Sequence, residues 1–400
     1  MGDGTVSSAH LHALADGAEG GPLPVYLIEI ATPVAQGEGG SQKMQVAVVG
    51  TGNAGSALAG DLALKGHEVR LLKSSSTPLN EHQEALFSSR VVDVVENGSP
   101  AAAQLATVTT DPGAALDGAD IVAVCTQTTQ HDDVIRKLAP HVADGQTLLF
   151  EPGYLATALV LKHLGKREIT VVEAASTPVN SRVTSPGEVR IAFRNSLSQV
   201  GVWPRARQAG AVDLLDNLGY EWTLYRSVVE AALHNPNLIV HTVGGLMSIP
   251  RIEATQGEYW MYREVFSSRV WNLVEALDGE KISVLEALGL PGIPYVDACK
   301  ERNAPDSQLS SKEVFFEWAM NDSQKGPARP DSRYLTEDVP QGLVMLESLG
   351  QALGVPTPVC SALITMSGSA LNVDFRAGGA RTVEALGGEN LKMILDEING

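Results

Sequence analysis

A strand that runs directly into a glycine loop and then into a helix constrains the fold of this chain more than any other feature. Residues 44–60 read MQVAVVGTGNAGSALAG, with apolar residues first and helix-forming residues last. Gly50 permits a tight turn, Gly52 lets the backbone approach a pyrophosphate, and Gly55 lets the helix pack close to the strand. A second apolar strand, 67–72, follows at once. These elements predict a dinucleotide-binding Rossmann unit; a glycine-rich turn without a nucleotide is the alternative.

The loop also predicts where the cofactor binds. The free N–H groups at the start of a helix bind anionic phosphate well, because they lack partners within the helix. We therefore expect the cofactor to contact the loop and the first helical residues. These residues are Gly50, Gly52, Asn53, Ala54 and Gly55.

The second strand of the unit lacks the acidic residue that usually binds the ribose hydroxyls of NAD. Lys73, Ser74 and two more serines follow the strand instead. A cation and hydroxyl groups suit the 2′-phosphate of NADP, which a carboxylate would repel. We expect Lys73 and Ser74 to bind NADPH. The alternative is a solvated surface loop in an enzyme that uses NADH or both cofactors.

Further apolar strands alternate with helices along residues 119–172, which is typical of a doubly wound, mostly parallel sheet. Thr126 and Thr128 follow one of these strands, at the edge of the sheet where ligands bind. We expect Thr126 to contact the cofactor and Thr128 the substrate. The predicted strands cover residues 119–125, 146–150 and 168–172, with a helix near 156–164.

After about residue 204, apolar residues recur at the three- and four-residue spacing of packed helices. The predicted fold is an α/β Rossmann domain at 44–204 that binds NAD(P), followed by an all-helical substrate and catalytic domain at 205–400, with a site between them. The role of residues 1–43, which contain a β-prone run at 24–30, stays open. The predicted helices cover 205–218, 227–247, 259–277, 281–288, 312–320, 339–353 and 360–371.

Composition limits the classes of partner. The chain carries 29 basic and 47 acidic residues, a net charge of −18, which argues against nucleic acid and anionic membranes. Three cysteines without metal-ligand spacing predict no metal site, no disulfide framework and a reducing compartment. No apolar stretch approaches the roughly 20 residues that span a bilayer. We predict a cytoplasmic enzyme that acts on small molecules, with a homodimer as the commonest assembly of such enzymes.

Polar residues interrupt a predicted core helix at 234–241. Asn237 and His241 share one face of that helix, and His234 lies further back along it. Burial of an amide and an imidazole costs free energy unless each finds a partner. His241 is either a hydrogen-bonded core residue or a group that exchanges a proton during catalysis. The helix alone leaves both readings open.

A second polar cluster lies at residues 331–343. Thr336, followed by Glu337 and Asp338, predicts a helix start with carboxylates at its positive end. That reading leaves Arg333 unexplained. A guanidinium beside a helix start is also a good bidentate clamp for a substrate carboxylate.

Taken together, these residues resemble the octopine/nopaline-type opine dehydrogenases. The likeness runs from residue 44 nearly to the end and includes the glycine loop and the stretch 126–153 with His131. Its most specific parts are the pattern Asn-x-Asn-x-x-x-His at 235–241 and the pattern Arg-Tyr-x-x-Glu-Asp-Val-Pro at 333–340. The family reduces the imine of an amino acid and a 2-oxo acid, often pyruvate, with oxidation of NAD(P)H. The product is an N-(1-carboxyalkyl) amino acid.

The resemblance also implies roles for single residues. His241 would exchange the proton, Asp338 would orient and stabilise the imidazole, and Arg333 would hold a substrate carboxylate. Asn237 would contact the substrate, and His234, which precedes the pattern, is the second choice for proton exchange. Residues 242–245 replace a proline that many members have, so the amino-acid pocket is expected to differ in shape.

Two other function classes remain open at this point. Hydroxyacid and ketopantoate-type dehydrogenases combine a Rossmann and a helical domain to reduce a C=O group, typically with a lysine in the active-site helix. The predicted helix 227–247 contains no lysine, which favours imine reduction. A non-catalytic dinucleotide sensor would need a surface for nucleic acid or protein, and the acidic balance offers no basic patch.

Overall fold

The computed structural model describes residues 42–165 and 167–399. Nearly all of the N-terminal extension, including the β-prone run at 24–30, therefore lies outside the described residues. Among the described helices, none has both the length and the apolar character needed to cross a membrane.

Twelve strands are found in the described chain, and all of them precede residue 225. They include the strands expected around the glycine loop and at residues 119–172. In chain order they are β1 Gln45–Val49, β2 Glu68–Leu72, β3 Val91–Glu96, β4 Ser99–Gln104, β5 Thr107–Thr109, β6 Ile121–Val124, β7 Thr147–Phe150, β8 Thr170–Ala174, β9 Val179–Ser185, β10 Glu188–Arg194, β11 Ser198–Trp203 and β12 Trp222–Leu224.

Eight of the strands form one sheet in the order β12-β11-β8-β7-β6-β1-β2-β5. The contact between β8 and β11 is antiparallel and the other contacts in this sheet are parallel. The predicted doubly wound, mostly parallel sheet is therefore confirmed. The domain boundary predicted at residue 204 separates β11 from β12, although these two strands pair with each other.

A second, four-stranded sheet in the order β4-β3-β10-β9 was not predicted. It joins two hairpins that are far apart in sequence, through a parallel contact between β3 and β10. The helix that follows the glycine loop, Asn53–Leu64, packs against strands of both sheets. Local sequence patterns do not show the contact between β3 and β10, because it joins segments that are far apart in sequence.

The second half of the chain is helical, as predicted, but its described residues contain twelve α-helices where the spacing predicts seven. In chain order the α-helices are α1 Asn53–Leu64, α2 Glu81–Ser89, α3 Pro112–Leu116, α4 His131–Leu138, α5 Ala156–Leu164, α6 Gln208–Asp216, α7 Val228–Leu233, α8 Asn237–Thr255, α9 Met261–Glu264, α10 Ser268–Ala287, α11 Tyr295–Asn303, α12 Ser311–Asn321, α13 Arg333–Thr336, α14 Val344–Leu353, α15 Pro358–Leu371, α16 Val383–Leu386 and α17 Gly388–Asn399. A π-helical turn, Val339–Leu343, precedes α14.

Three of the predicted helices require correction. The helix predicted at 227–247 is divided into α7 and α8, because Pro236 has no N–H group to continue a helix and Asn235 Oδ1 accepts the N–H of Asn237 at 3.0 Å. The helices predicted at 259–277 and 281–288 are largely one helix, α10, whose N-cap is Ser267.

The two halves of the chain share one hydrophobic core. The largest buried cluster extends from one face of the large sheet, through Phe150 and Leu155, to Leu238 on α8 and Leu335 on α13. A separate cluster lies between the other face of that sheet, α1 and the second sheet. The continuous core holds the helical half against the carboxyl ends of the strands, where a ligand site is expected.

Candidate functional site

The glycine loop between β1 and α1 leaves its backbone open where the helix begins. Gly50 has a φ of 118°, which residues with a side chain rarely adopt. A Cβ on Gly55 would lie 1.9 Å from the carbonyl oxygen of Gly50, whereas a Cβ on Gly52 would meet no atom within 4 Å. No side chain caps α1. The open space and the uncapped helix start fit a bound phosphate.

Asn53, the first residue of α1, is held by two hydrogen bonds to strand β9. Its side-chain Oδ1 accepts the N–H of Val183 at 2.7 Å, and its carbonyl oxygen accepts the hydroxyl of Ser181 at 3.0 Å. These contacts fix the start of α1 to strand β9. The N–H groups of Asn53 and Ala54 belong to the first turn, which has no partners within the helix.

Lys73 occupies a different position from the one that the sequence suggested. Its Nζ donates to the carbonyl oxygens of Ser75 at 2.7 Å and Thr77 at 2.5 Å, and to Ser75 Oγ at 2.9 Å. An ammonium has three donors, and here all three serve the loop after β2. The buried Lys73 therefore shapes this loop rather than extending toward a ligand. Ser74 remains half-buried beside it, and Lys137 Nζ lies 3.4 Å from its carbonyl oxygen.

Two buried polar atoms without a protein partner lie at the carboxyl ends of adjacent strands. Thr126 follows β6 and Glu151 follows β7. Neither Thr126 Oγ1 nor Glu151 Oε1 has a hydrogen-bond partner among the described residues. Burial raises the pKa of Glu151 to about 8, so its carboxyl group is largely protonated near neutral pH. Unpaired buried polar atoms cost free energy, which favours a ligand at this edge. Thr126 was predicted here and Glu151 was not.

The fold brings the predicted catalytic pair together across 97 residues of sequence. Nδ1 of His241, on α8, lies 2.8 Å from Oδ2 of Asp338. Both side chains are buried, with 5% and 1% of their surface exposed. The ring of Tyr334 stacks on the imidazole, with centroids 3.6 Å apart and planes at 8°. Because Asp338 occupies Nδ1, Nε2 is the ring nitrogen that can exchange a proton with a substrate.

Asp338 is also held from the Rossmann side of the molecule. The hydroxyl of Tyr154, which follows β7, donates to Asp338 Oδ1 at 3.1 Å. Burial raises the pKa of Asp338 to about 7, although the positive charge of Arg333 opposes the rise. Burial and the same Arg333 charge lower the pKa of His241 well below its usual value. The pair therefore titrates as a unit with one exchangeable proton near neutral pH.

Arg333 opens α13 near this pair. The N-cap of that helix is Ser332, which corrects the predicted start at Thr336; the Thr336 hydroxyl donates to the carbonyl oxygen of Ser332 at 3.1 Å. One guanidinium nitrogen of Arg333 lies 3.6 Å from Glu337 Oε2, and 45% of the Arg333 side chain is exposed. Because this contact is long and the side chain is accessible, Arg333 remains available to an anionic ligand.

Thr128 contacts the other oxygen of that glutamate. Its N–H and its hydroxyl both donate to Glu337 Oε1, at 2.7 Å and 2.9 Å. Both donors that the sequence assigned to the substrate are thus directed at the protein. Thr128 and Glu337 form a contact between the two halves of the chain, and the substrate contact of Thr128 stays a prediction.

Asn237 and His234 lie on either side of the break between α7 and α8. Asn237 is the first residue of α8, half-buried and one turn before His241. His234 instead stacks on Tyr225, with ring centroids 5.1 Å apart, and neither of its nitrogens has a partner among the described residues. Since no carboxylate orients His234, the geometry favours His241 for proton exchange.

Arg381 is a buried arginine that the sequence analysis missed. Its guanidinium donates to the carbonyl oxygens of Gly153, Tyr154 and Thr128, and to Gln341 Oε1 at 2.7 Å. Burial lowers its pKa to about 10. The contacts join the strand ends of the Rossmann half to the π-helical turn that follows Asp338. No local pattern marks Arg381, because its partners lie in segments that are remote in sequence.

Comparison with known proteins agrees with this arrangement. Residues 224–371 match the family model described as the alpha-helical domain of NAD/NADP octopine/nopaline dehydrogenase. Residues 46–205 match the ketopantoate reductase PanE/ApbA model. An opine dehydrogenase of Arthrobacter sp. (strain 1C) is 29% identical over 347 residues, which cover 85% of this chain and 94% of that protein.

Solved structures show the same fold. Octopine dehydrogenase with NADH and L-arginine has a TM-score of 0.68 at 20% identity, covering 88% of this chain and 98% of that one; a similar structure of that enzyme holds NADH and pyruvate. Yersinopine dehydrogenase with bound NADP+ has a TM-score of 0.65 at 15% identity, and the match covers 89% of this chain and 99% of that one. The predicted Rossmann domain with a helical partner is thereby confirmed.

Proposed function

Because this chain belongs to the octopine/nopaline dehydrogenase family of NAD(P)-dependent oxidoreductases acting on CH–NH groups, we propose that it reduces the imine of an amino acid and a 2-oxo acid. Pyruvate is the proposed oxo acid, and the product is an N-(1-carboxyalkyl) amino acid. The observation that carries the proposal is the buried His241–Asp338 pair, with a 2.8 Å contact, in the helical half of the chain.

Four residues of the chain have separate roles in this reaction. When bound, the nicotinamide cofactor supplies the hydride for the imine carbon. His241 Nε2 gives a proton to the substrate in reduction and takes it back in oxidation, while Asp338 orients the ring and stabilises its charged form. Arg333 binds the carboxylate of the oxo acid, and Asn237 contacts the substrate. Burial of His241 and Asp338 keeps water from the imine.

We further propose NADPH as the preferred cofactor, with NADH as the alternative. The support is the absence of a carboxylate at the end of β2, together with Ser74 and two nearby ammonium groups. Lys73 holds the loop, and Lys137, with about a third of its side chain exposed, reaches the loop from α4. A clear preference for NADH in Michaelis constants measured with both cofactors would contradict this proposal.

Reduction of a C=O group is the second candidate, because the Rossmann half also matches ketopantoate reductase. Imine reduction is favoured because the helical half matches the octopine/nopaline dehydrogenase model and because α8 contains no lysine. The proposed partners are small molecules, and the predictions of a homodimer and of a cytoplasmic location stand as proposals beside them.

A condensation assay tests the proposed function directly. NADPH oxidation is followed with pyruvate alone, with pooled amino acids alone and with both, and the products are identified by mass spectrometry. Oxidation that requires both substrates, with a product heavier than the amino acid by the carboxyethyl group, supports the proposal. Oxidation with the oxo acid alone would instead indicate a hydroxyacid dehydrogenase.

A further inference from the structure

Two consecutive residues in the turn between β7 and α5 have left-handed backbones. The φ angle is 51° at Tyr154 and 61° at Leu155, a region that residues with a Cβ rarely adopt. Both side chains are fully buried. Such a conformation costs free energy, and it persists only where contacts with the surrounding structure fix it. The turn therefore depends on its partners elsewhere in the chain.

Contacts from two sides hold this turn. Arg381 Nη1 donates to the carbonyl oxygens of Gly153, at 2.7 Å, and of Tyr154. On the other side, Glu173 Oε1 accepts the N–H of Thr157 at 2.8 Å and its hydroxyl at 2.6 Å, at the start of α5. A Cβ on Gly153 would lie 1.9 Å from Glu173 Oε2, so the turn packs directly against this carboxylate.

The turn directs the hydroxyl of Tyr154 to Asp338, which lies 184 residues later in the sequence. The hydroxyl donates to Asp338 Oδ1 at 3.1 Å. A Cβ on Gly342 would lie 3.1 Å from the hydroxyl oxygen, so a glycine in the π-helical turn leaves room for it. Burial, followed by the charge of Asp338, raises the pKa of Tyr154 well above its usual value. The hydroxyl therefore keeps its proton and acts as a donor.

This contact determines how Asp338 meets His241. Because Tyr154 occupies Oδ1, Oδ2 is the oxygen that contacts His241 Nδ1, at 2.8 Å. A hydrogen bond to an ionised carboxylate favours that form over the neutral one. Burial raises the pKa of Asp338, and the hydrogen bond from Tyr154 opposes the rise. When Asp338 is ionised, the exchangeable proton lies on the imidazole, where Nε2 can give it to a substrate.

We propose that Tyr154 is a positioning residue for proton exchange, whose hydroxyl keeps the shared proton of the pair on His241 rather than on Asp338. The inference rests on the proposed function, because it concerns the proton that imine reduction consumes. Tyr154 acts through Asp338 and requires no contact with the substrate. The buried turn between β7 and α5 thus has a catalytic purpose as well as a structural one.

Tyr154→Phe tests this role, because it removes the hydroxyl and keeps the ring. The other charged and titratable groups around the pair remain in this variant: Arg333, Tyr334, Glu337 and Arg182. The kcat of reduction on its low-pH plateau should fall by about 3- to 10-fold, and the inflection should rise by about half to one pH unit. The NADPH dissociation constant should change by less than about twofold, because the hydroxyl lies apart from the glycine loop.

Tyr225→Phe is the matched control. Tyr225 is also buried, but its hydroxyl has no hydrogen-bond partner among the described residues, so this variant should keep the wild-type kcat and inflection. A lower kcat in Tyr154→Phe with an unmoved inflection would overturn the proposal, because it would indicate a structural role alone. Equal losses in both variants would overturn it as well.

Gly342→Ala perturbs the same hydroxyl without removing a polar group. The added methyl group crowds the hydroxyl oxygen of Tyr154, so the inflection should move upward as in Tyr154→Phe, by a smaller amount. Thermal unfolding of each variant is measured beside the pH profile. Inflections that stay at the wild-type pH in both Tyr154→Phe and Gly342→Ala would overturn the proposal.

Failure of the proposed function would be visible separately, since the unmodified enzyme would form no condensed product with any amino acid. Nitrogen NMR of protein labelled at histidine then follows the pair without turnover, with the His241 signals assigned by their loss in His241→Ala. A titration of His241 that moves to higher pH in Tyr154→Phe supports the role of the hydroxyl. An unchanged titration overturns it.

Discussion

The two sides of the cleft are built from different parts of the polypeptide. On the side where we propose that the cofactor binds, the open position at Gly52 and the first turn of α1 offer backbone atoms to a ligand. On the catalytic side, the site consists of side chains from remote segments, with His241 and Asp338 joined across 97 residues. A backbone site depends on which glycines are present, whereas a side-chain site depends on the whole fold that aligns it.

This difference has a consequence for substitutions. Removal of one catalytic side chain should abolish chemistry and leave cofactor binding intact, because the two sets of atoms do not overlap. Substitution of a loop glycine should have the reverse effect. Each variant below tests whether the two sides are separable in this way.

Replacement of His241 by alanine should have the largest effect on turnover. We expect kcat to fall by about 10³- to 10⁴-fold, since the proton donor is lost, while the NADPH dissociation constant changes by less than about twofold. Steady-state kinetics and cofactor fluorescence titration measure the two quantities. His234→Ala is the matched control, since His234 is also a buried histidine but lacks a carboxylate partner; comparable losses of turnover in both variants would refute the assignment.

The pH dependence should follow the proton of the His241–Asp338 pair. Burial raises the pKa of Asp338 to about 7, so the pair is protonated below that pH and deprotonated above it. Reduction uses the protonated pair, and its kcat should fall about tenfold per pH unit above roughly pH 7. Oxidation uses the deprotonated pair, so the kcat of oxidation should rise over the same pH range.

Asp338→Asn provides the control for that profile. The amide cannot take up the proton, so the inflection near pH 7 should disappear and kcat should fall by about 10²-fold or more. Both directions are measured between about pH 5.5 and pH 9 at constant ionic strength. Retention of the wild-type inflection in Asp338→Asn would place the titrating group elsewhere, with Glu151, whose pKa is raised to about 8, as the next candidate.

The same contrast explains how much of the fold and the site the sequence could predict. The glycine loop, the flanking strands and α5 follow local rules of turn geometry and periodicity, and the structure has them where those rules indicate. The second sheet depends on pairing between β3 and β10, which no short-range pattern encodes. For that reason the second sheet was not predicted from the sequence.

The catalytic side shows the same limit at the level of single residues. His241, Asp338 and Arg333 were proposed because family patterns contain them, and the structure brings the first two into contact. Tyr154 and Arg381 support the site through contacts with remote partners, and neither lies in a recognisable motif. The contacts between Thr128 and Glu337 could not be predicted from the sequence either, because they depend on how the two halves pack.

Arg333→Ala should separate substrate binding from the rest of the catalytic side. Loss of a charge-assisted contact of about 1.5–3 kcal/mol corresponds to an increase in the oxo-acid Michaelis constant of about 10- to 100-fold. The Michaelis constant for NADPH should stay within about twofold of the wild-type value. The oxo-acid Michaelis constant of Arg333→Lys should lie between those of the wild type and Arg333→Ala, because lysine keeps the charge but not the bidentate geometry. An unchanged oxo-acid constant would remove Arg333 from the substrate site.

Gly52→Ala tests the cofactor side, with a smaller expected effect. A Cβ at this position meets no protein atom within 4 Å, so the thermal stability should be unchanged, yet the methyl group enters the space assigned to phosphate. We expect the NADPH Michaelis constant to rise by about tenfold, comparable to one lost hydrogen bond to a charged group, with kcat retained at saturation. A normal Michaelis constant would mean that the phosphate binds away from this loop.

Lys73→Met should have the smallest effect on cofactor choice, even though this residue suggested NADPH in the first place. Its ammonium donates to Ser75 and Thr77, so its removal should loosen the loop and change the ratio of kcat/KM for NADPH and NADH by less than about threefold. Lys137→Met, which removes the more accessible ammonium beside Ser74, should change that ratio more. A larger change of the ratio in Lys73→Met than in Lys137→Met would show that the loop opens and that the Lys73 ammonium contacts the cofactor. The cofactor side would then include a side chain as well as backbone atoms.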